Sequence, residues 1–477
     1  MVIIGDHKQI VIPHLNRTKH DPARLSGVRL LHTHLENQPI NDEDLMDLIF
    51  LRLDSIEVLT VSAQGFPISY SCAHILPTGG KNNLYEVYPL CPWDKVNFNP
   101  LATAKNLEKE LERISKSASP TIREKHALLI SVSTESKKVQ ENSLKELEAL
   151  AKTAGLKVSG YFIQRVQKIN PSHILGKGKL AELEIIALQK GASILIFDCE
   201  LSPSQLRNLT NITERKVIDR TQLILDIFAQ HAKSKAGQLQ VEMAQLKYTL
   251  PRLIKQNRAF SRLAGGIGGR GPGETKLEID RRKIRERINK IKKELDKIKR
   301  QRQTARNLRE RSQIPIVALV GYTNVGKSTL LNTLTQSKVL VADKLFATLD
   351  PTSKRMRYPK NKEIIFTDTV GFIAHLPNDL KQAFSATLEE LRPANLLLHV
   401  ADASHPQLEN QINAVKEILK ELNLEDKTTL LILNKWDKLT ADQQQQLKNK
   451  YPSAFPTSAL NKFGLDRLTQ EILKKLF

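Results

Sequence analysis

The fold is decided by the stretch Gly321-Tyr322-Thr323-Asn324-Val325-Gly326-Lys327-Ser328, which fits the pattern G-x-x-x-x-G-K-[ST]. An apolar strand candidate, residues 316–320, precedes it, and a helical segment, residues 329–335, follows it. In this strand–loop–helix context the glycines let backbone N–H groups approach phosphates, and the helix N-terminus adds positive potential. The stretch therefore predicts a nucleotide-binding α/β domain.

The loop and a second motif predict how the phosphates and a magnesium ion are held. Lys327 is expected to reach the β- and γ-phosphates, the Ser328 hydroxyl to bind Mg²⁺, and Thr329 to continue the nucleotide-binding set. Asp368-Thr369-Val370-Gly371 begins 40 residues beyond Ser328, after the strand candidate 364–367. Asp368 can hold Mg²⁺ through water, and the Gly371 N–H can sense the γ-phosphate. A D-x-x-G motif alone is weak because Asp and Gly abound in turns, but this spacing strengthens it.

Guanine recognition is indicated by Asn434-Lys435-Trp436-Asp437, which follows the strand candidate 430–433 and resembles the N-K-x-D box of the GTPase superfamily. The Asp437 carboxylate can accept hydrogen bonds from guanine N1–H and the 2-amino group, while Asn434 supports the loop. Adenine lacks this donor pair, so a buried carboxylate would be left unpaired against it. Ser458-Ala459-Leu460 matches the last guanine-contacting element of the superfamily. Together the motifs predict binding of GTP and Mg²⁺ and hydrolysis of GTP.

Two further residues bear on the rate of GTP hydrolysis and on the binding of K⁺. Phe372 occupies the position after the D-x-x-G glycine, where many small GTPases place a water-orienting Gln. A phenyl ring cannot align water, so slow intrinsic hydrolysis is expected unless another group or a partner completes the site. Asn324 resembles the loop residue of GTPases that use K⁺ near the β- and γ-phosphates. A neutral loop position explains Asn324 as well, and both interpretations stay open.

Size and composition bound the class of protein. A chain of 477 residues suggests about three domains, and a hydrophobic fraction of 40% allows sizeable cores. The net charge of +22 favours encounter with polyanions, with nucleic acid first and an anionic membrane surface second. Cys72, Cys91 and Cys199 match neither a zinc pattern nor a disulfide framework. With no apolar run of about 18 residues and no secretory signal, a cytoplasmic protein without a membrane anchor is expected.

The pattern along the chain predicts an α/β fold class, with a P-loop GTPase domain, an N-terminal α/β domain and a long antiparallel helical hairpin. The expected segments are an N-terminal extension of unknown role, the α/β domain, the basic hairpin and the GTPase domain, at residues 1–120, 121–220, 221–313 and 314–477. The extension shows mixed helix and strand spacing in residues 42–61 and a short charged helix in residues 106–116. The second segment alternates helical stretches with strand candidates at residues 127–132, 158–166, 194–197 and 217–218.

The hairpin is predicted from two apolar stripes with alternating spacings of four and three residues. The stripes are Leu239, Met243, Leu246, Leu250 and Leu253, and then Ile284, Ile288, Ile291, Leu295 and Ile298. The Gly-rich run at residues 265–273 cannot be helical, so an antiparallel pair joined by a glycine tip is expected. Over residues 220–312, basic residues exceed acidic ones by about 16. This excess favours polyanion binding over a solvated coiled-coil face, which normally mixes both signs.

These motifs together resemble the HflX family of ribosome-associated GTPases over residues 126–477. The resemblance is carried by residues 321–328, Phe346-Ala347-Thr348-Leu349-Asp350-Pro351-Thr352 and residues 368–373, and upstream by residues 219–221, 224–230, 265–274 and 277–278. It implies that Thr348 is a switch residue that binds Mg²⁺ and closes on GTP, with Phe346, Ala347 and Leu349 beside the nucleotide. It also casts Lys327, Thr348 and Gly371 as the catalytic residues.

The resemblance further implies binding to the 50S ribosomal subunit and its rRNA, and splitting or rescue of stalled or idle 70S ribosomes, notably under heat stress. An ATP-binding role of the N-terminal domain is also implied. Its local cue is Gly176-Lys177-Gly178-Lys179, which an ordinary basic turn explains more simply. A monomer is expected. Two alternatives stay open: a large-subunit biogenesis factor acting as an rRNA-binding GTP switch, and a controller of membrane or RNA-modification traffic.

Overall fold

The computed structural model describes residues 25–35, 38–76, 85–116, 126–213, 215–253, 276–311, 314–335, 346, 352–357, 362–369, 371–372 and 391–477. The chain forms two compact units, residues 1–220 and 221–477. Within the described ranges, no helix combines the length and the apolarity that crossing a lipid bilayer requires. The finer domain limits given above stay predictions.

The N-terminal extension carries a sheet of its own in the first unit. Its strands are Arg29–Leu35 (β1), Ser55–Val61 (β2), Pro67–Ile75 (β3), Tyr85–Val87 (β4) and Cys91–Pro92 (β5). The strand order is β1-β2-β3-β4, with β5 also paired to β3. Only β1 and β2 are parallel, and the helix Asp42–Phe50 (α1) connects them. The mixed spacing predicted for residues 42–61 is thus a helix followed by a strand.

Helix boundaries in the extension follow from capping residues. Asn41 and Asp44 form a reciprocal capping box at the start of α1, which satisfies backbone N–H groups of its first turn. The second helix, Pro100–Lys116 (α2), starts earlier than the predicted residue 106. Proline is well tolerated in the first turn, where its missing N–H has no partner to lose, and the Asn99 side chain accepts from Ala102 N at 3.1 Å.

A parallel sheet with the order β7-β6-β8-β9 forms the rest of the first unit. Its strands are His126–Ser133 (β6), Lys157–Arg165 (β7), Ile194–Phe197 (β8) and Lys216–Asp219 (β9). The connecting helices are Lys137–Thr153 (α3), Lys177–Gln189 (α4) and Pro203–Thr213 (α5). The sheet is covered by helices, and Leu128, Ile130, Leu195 and Phe197 are fully buried. The alternation of strands and helices predicted for this segment matches the structure.

The basic stretch proposed as a phosphate cue lies at the start of α4. Leu180 N donates to Gly176 O at 3.0 Å, as in an ordinary first helical turn. Lys179 Nζ donates to the Glu182 carboxylate at 2.5 Å on the exposed helix surface. The local geometry is therefore that of a basic helix start, and ATP binding at the N-terminal domain stays a prediction.

A buried ion cluster ties the extension to α4 within the first unit. Glu184 Oε1 accepts from Arg215 Nε at 2.8 Å and from an Arg52 guanidinium nitrogen at 3.2 Å. The Glu184 and Arg215 side chains are 3% and 0% exposed, so water cannot replace either partner. Burial raises the pKa of Glu184, although both arginines oppose that shift. Removing one member of such a cluster leaves buried charge uncompensated.

The second unit begins with helices that lead to the basic region. These are Arg220–His231 (α6, which starts at the unit boundary), Lys235–Thr249 (α7) and Lys276–Arg311 (α8). Arg287 donates two hydrogen bonds to Glu242, at 2.6 and 2.7 Å, and Arg281 donates to Leu253 O at 2.8 Å. This order of contacts makes α7 and α8 antiparallel. The glycine tip at residues 265–273 lies outside the described residues.

The predicted first stripe is wrong at its end. α7 stops at Thr249, and Leu250–Arg252 forms a single 3₁₀ turn. Pro251 has no backbone N–H for an i→i−4 hydrogen bond, so the α-helix cannot continue through it. Leu239 on α7 and Ile291 on α8 are buried, in line with the two apolar stripes.

The GTPase domain is built on a sheet with the order β11-β12-β10-β13-β14-β15. Its strands are Ile316–Gly321 (β10), Thr352–Arg357 (β11), Glu363–Asp368 (β12), Leu396–Asp402 (β13), Thr429–Asn434 (β14) and Phe455–Pro456 (β15). Its described helices are Lys327–Thr335 (α9), Leu408–Glu421 (α10), Ala441–Lys450 (α11) and Leu465–Leu476 (α12). Only β11 runs antiparallel to its neighbour, and the sequence did not predict it because its residues are mostly polar and basic.

The buried ion cluster generates a stability prediction. We expect Glu184→Gln to destabilise the first unit by about 3 kcal/mol or more, because the two arginines keep their charges while the carboxylate is lost. Chemical denaturation followed by circular dichroism would measure the loss. Glu182→Gln is the matched control: the same helix and the same change, but an exposed pair with Lys179 worth at most about 1 kcal/mol. Equal stability of the two variants would contradict the cluster's role.

Candidate nucleotide-binding site

The site lies at one edge of the GTPase sheet. Strands β10, β12 and β14 end at Gly321, Asp368 and Asn434, the residues at which the three predicted motifs begin. β10 is paired in parallel with both β12 and β13, and β13 is paired in parallel with β14. The carboxyl ends of parallel strands share an edge, so the loops that follow converge there. The structure thus brings together motifs that are more than 100 residues apart in the sequence.

The phosphate loop closes around the Lys327 ammonium. Lys327 Nζ donates to Gly321 O at 3.1 Å and to Tyr322 O at 2.7 Å, and the side chain is buried. Burial lowers the pKa of Lys327 to about 8, while the negative charge of Asp368 opposes the shift. Gly321 is required because a Cβ there would collide with the carbonyl oxygen of Val400. A buried cation at the loop is placed to meet the negative charge of a triphosphate.

Ser328 and Asp368 form a pair of oxygen donors beside the loop. Ser328 Oγ donates to Asp368 Oδ2 at 2.6 Å, and Asp368 is fully buried at the end of β12. A hydroxyl and a carboxylate are the ligand types that Mg²⁺ takes together with nucleotide phosphates. The residues present therefore fit the predicted magnesium ion, which Ser328 and Asp368 would hold.

The D-x-x-G segment is fastened to the phosphate loop by its backbone. Thr323 N donates to Phe372 O at 2.8 Å, and Phe372 N donates to Gly321 O at 3.0 Å. A Cβ on Gly371 would lie 2.9 Å from Thr323 Cα and 3.0 Å from Lys327 Nζ, so only glycine fits. Thr369 is buried and donates to Leu319 O at 2.6 Å. Val370 lies outside the described residues. The Gly371 backbone is thus next to the ammonium that would hold the γ-phosphate.

The side chain of Phe372 is buried, at 4% exposure. The position at which other GTPases carry a water-orienting side chain is thus taken up by a ring packed into the protein. The structure adds a geometric reason to the chemical one for expecting slow intrinsic hydrolysis.

Asn434 connects three loops through its side-chain amide. Asn434 Nδ2 donates to Val325 O at 2.8 Å, and Asn434 Oδ1 accepts from Ala459 N at 3.0 Å. The amide therefore joins the phosphate loop to the segment Ser458-Ala459-Leu460. Thr333 Oγ1 donates to Ala459 O at 3.1 Å, so α9 supports the same segment. Ser458 is buried, whereas Leu460 is exposed.

The rest of the N-K-x-D motif places Asp437 at the surface. Lys435 adopts a left-handed backbone conformation, donates to Asn324 O at 2.8 Å and pairs with Asp402 at 2.7 Å. The Trp436 side chain is buried, and the Trp436 backbone N–H donates to Thr457 O at 3.1 Å. Asp437 follows in the 3₁₀ turn Trp436–Lys438 and is exposed, accessible to a base. Asn324 is exposed. Binding of K⁺ beside it stays a prediction.

Of the residues 346–349 that were predicted to lie beside the nucleotide, the structure describes only Phe346. Phe346 is buried, and its ring meets the ring of Phe228 on α6 edge-on, with centroids 4.6 Å apart. Ala347, Thr348 and Leu349 lie outside the described residues, so the roles given to them stay predictions.

Sequence reasoning missed three polar residues around the site. Thr333 and Asp402 are the supports noted above, and His399 is buried on β13. Burial, followed by the charges of Lys416 and Lys327, lowers the pKa of His399 to about 4, which keeps the ring neutral at neutral pH. Thr333 and Asp402 act through contacts between distant segments. His399 is near the site only because β13 lies beside β10, and no local pattern in the sequence would have singled out any of the three.

The buried ammonium generates a pH prediction. We expect GTP affinity to fall as the pH rises from about 7 to about 8.5, by at most tenfold per pH unit. In the free site Lys327 loses its proton near pH 8, whereas a bound triphosphate stabilises the ammonium, so binding takes up a proton at the higher pH. Calorimetry with a non-hydrolysable GTP analogue, in two buffers of different ionisation enthalpy, measures both effects.

Lys327→Arg is the control, because a guanidinium stays charged over this range. Its affinity should be lower at every pH but free of the decline. Constant affinity of the unaltered protein, without proton uptake, would show that Lys327 does not change its protonation state when the triphosphate binds.

Comparison with known proteins supports this interpretation of the site. Three family models match successive parts of the chain: GTP-binding GTPase N-terminal (residues 141–229), GTP-binding GTPase Middle Region (231–309) and 50S ribosome-binding GTPase (316–435). Among solved structures, a GTP-binding protein of the archaeon Sulfolobus solfataricus in complex with GDP is 28% identical and covers 74% of this chain and 98% of its own. Its TM-score of 0.40 is too low to compare the folds.

Curated relatives give the family. GTPase HflX of Caldanaerobacter subterraneus subsp. tengcongensis is 48% identical over 337 residues, which are 71% of this chain and 78% of that protein. GTPase HflX of Escherichia coli K12 is 43% identical over 338 residues, which are 70% of this chain and 79% of that protein. At this identity and coverage, the chain belongs to the HflX family of GTPases.

Proposed function

We propose that this GTPase is a cytoplasmic translation factor that binds the 50S subunit and splits or rescues stalled or idle 70S ribosomes, notably under heat stress. The observation that carries the proposal is the match of residues 316–435 to a family described as 50S ribosome-binding GTPase, joined in one chain to a strongly basic helix. GTP binding and hydrolysis belong to the family, and the ribosome as target is the proposed step.

In the proposed reaction, the phosphate loop holds the triphosphate and Lys327 neutralises charge on the β- and γ-phosphates. Ser328, Asp368 and Thr348 would hold Mg²⁺, which would supply further charge stabilisation. The Gly371 N–H donates to the γ-phosphate, because the Gly371 backbone lies close to the Lys327 ammonium. Asp437 selects guanine. The buried Phe372 makes hydrolysis depend on a group that the ribosome supplies.

We propose that Phe346 transmits the change between the GTP and GDP states to helices α6, α7 and α8. Its ring packs on Phe228 of α6, and α6 leads into α7, the partner of the basic helix α8. Closing of the switch segment on GTP would act on this aromatic contact. The GTP form then favours the ribosome-bound state, and hydrolysis releases it.

The RNA-facing surface is proposed to include the outer side of α8. Ile288 and Ile291 are buried on the inner side of this helix. Its exposed basic residues are Arg282, Lys283, Arg285, Lys290, Lys292, Lys293, Lys297, Lys299 and Arg300. The exposed acidic residues between Arg282 and Arg300 are Glu286 and Asp296. A face with one dominant sign favours phosphate contacts over a merely solvated helix.

A second candidate function is a large-subunit biogenesis factor that uses GTP as an assembly switch. The buried ring of Phe372 favours it, since a switch needs little turnover. A splitting factor must leave the ribosome after each splitting event, and GTP hydrolysis is the proposed cause of that release. Ribosomes should therefore stimulate GTP hydrolysis by a splitting factor but not by a biogenesis factor.

The test is sedimentation of purified 70S ribosomes with the protein and GTP or a non-hydrolysable analogue. We expect a shift toward free subunits, and binding to the 50S subunit at least about tenfold tighter with the analogue than with GDP. Lys327→Ala should abolish the shift. A Lys292→Gln/Lys293→Gln variant should bind more weakly and depend less steeply on salt. No splitting and no ribosome-stimulated hydrolysis, together with 50S precursors accumulating in cells without the protein, would favour the biogenesis factor instead.

A further inference from the structure

Three side chains capable of binding a metal converge in the N-terminal extension, which belongs to the first unit, whereas the nucleotide-binding motifs belong to the second. His32 and His34 are two residues apart on β1, so both point to the same face of the sheet. Asp44, in the first turn of α1, faces them. His32 Nε2 lies 3.0 Å from His34 Nε2 and 3.0 Å from Asp44 Oδ1, and His34 Nε2 lies 3.4 Å from Asp44 Oδ2.

The spacing of these atoms matches ligands that share one ion. Zinc binds imidazole nitrogen and carboxylate oxygen at about 2.0–2.2 Å. Ligands at that distance, separated by tetrahedral or octahedral angles, are about 2.9–3.5 Å apart. The separations of 3.0, 3.0 and 3.4 Å fall in this range, with the Asp44 carboxylate facing His32 through Oδ1 and His34 through Oδ2. The two imidazole nitrogens and one of the carboxylate oxygens could therefore bind a divalent ion together.

Contacts of His34 and Asp44 hold both groups in place. His34 Nδ1 lies 3.0 Å from Gln38 O, which can only accept, so Nδ1 carries a proton and Nε2 is the nitrogen available to a metal ion. Asn41 N donates to Asp44 Oδ2 at 2.8 Å, which fixes the carboxylate. The other carboxylate oxygen, Oδ1, faces His32 Nε2.

The polar atoms of the cluster face one another in a nearly enclosed space. The side chains of His32, His34 and Asp44 are only 10%, 13% and 10% exposed. Two imidazole nitrogens and a carboxylate that converge with little access to water form a set of donor atoms that one cation can satisfy together.

We propose that His32, His34 and Asp44 bind one divalent transition-metal ion, with zinc as the first candidate. Two imidazole nitrogens select zinc or a related ion over Mg²⁺ and Ca²⁺, which prefer oxygen ligands. Three protein ligands leave a position for water or for a group from outside the chain. Residues 32–44 lie outside the three matched family models, which cover residues 141–229, 231–309 and 316–435.

The test uses tag-free full-length protein, stripped with a chelator and kept in excess Mg²⁺ and GDP so that the nucleotide site is saturated. Zn²⁺ is titrated in competition with a chromophoric chelator, and Co²⁺ is added separately to read the ligand field by visible absorption. We expect one ion per chain. Asp44→Asn and His34→Asn should each weaken Zn²⁺ binding by about 100-fold or more and reduce the Co²⁺ absorption.

His173→Asn is the matched control, a half-buried histidine of the same unit outside the cluster, and it should leave Zn²⁺ binding unchanged. Asp44→Asn keeps an oxygen for the Asn41 N–H, so the helix cap is retained, and circular dichroism checks the fold. Zn²⁺ should raise the unfolding temperature of the unaltered protein but not of the Asp44 variant. Failure of the unaltered protein to retain Zn²⁺, or equal affinity in the Asp44 and His34 variants, would overturn the proposal.

Discussion

The nucleotide site depends on one buried amide. Asn434 donates to the carbonyl of Val325 in the phosphate loop and accepts from the N–H of Ala459, so a single side chain holds three loops at the sheet edge. Gly326 is part of the same constraint, since a Cβ there would lie 2.5 Å from Asn434 Nδ2. Without the amide, two buried backbone groups would lose their partners, at about 1–3 kcal/mol each. Phosphate and base recognition are thereby fixed relative to each other before any ligand arrives.

The same edge explains why the chemistry of the motifs could be read from the sequence. Continuous apolar runs such as residues 316–320 and 430–433 became buried parallel strands, and a motif directly after such a strand has its place set by the strand. The supports from Thr333 and Asp402, and the position of His399 near the site, could not be predicted in this way. They depend on which strands are neighbours, and that follows from the packing of the whole sheet.

The extension shows the opposite case. β1 alternates exposed and half-buried residues and includes charged and histidine side chains, so no apolar run marks it. The histidines of β1 indicate a metal site only when the fold is known, because α1 places Asp44 beside them. The Arg52–Glu184–Arg215 cluster likewise joins residues up to 163 positions apart. The end of α7 at Thr249 could have been predicted from the sequence, because Pro251 prevents the α-helix from continuing.

We expect the exposed Asp437 carboxylate to select guanine while Lys327 holds the triphosphate. The affinities of an Asp437→Asn variant for GTP and for xanthosine triphosphate test this selection. Xanthine presents an oxygen where guanine has its amino group, so an Asn side chain can donate to it. GTP affinity should fall by about 100-fold or more, and xanthosine triphosphate should become the preferred ligand. An unchanged preference of the variant for GTP would contradict guanine selection by Asp437.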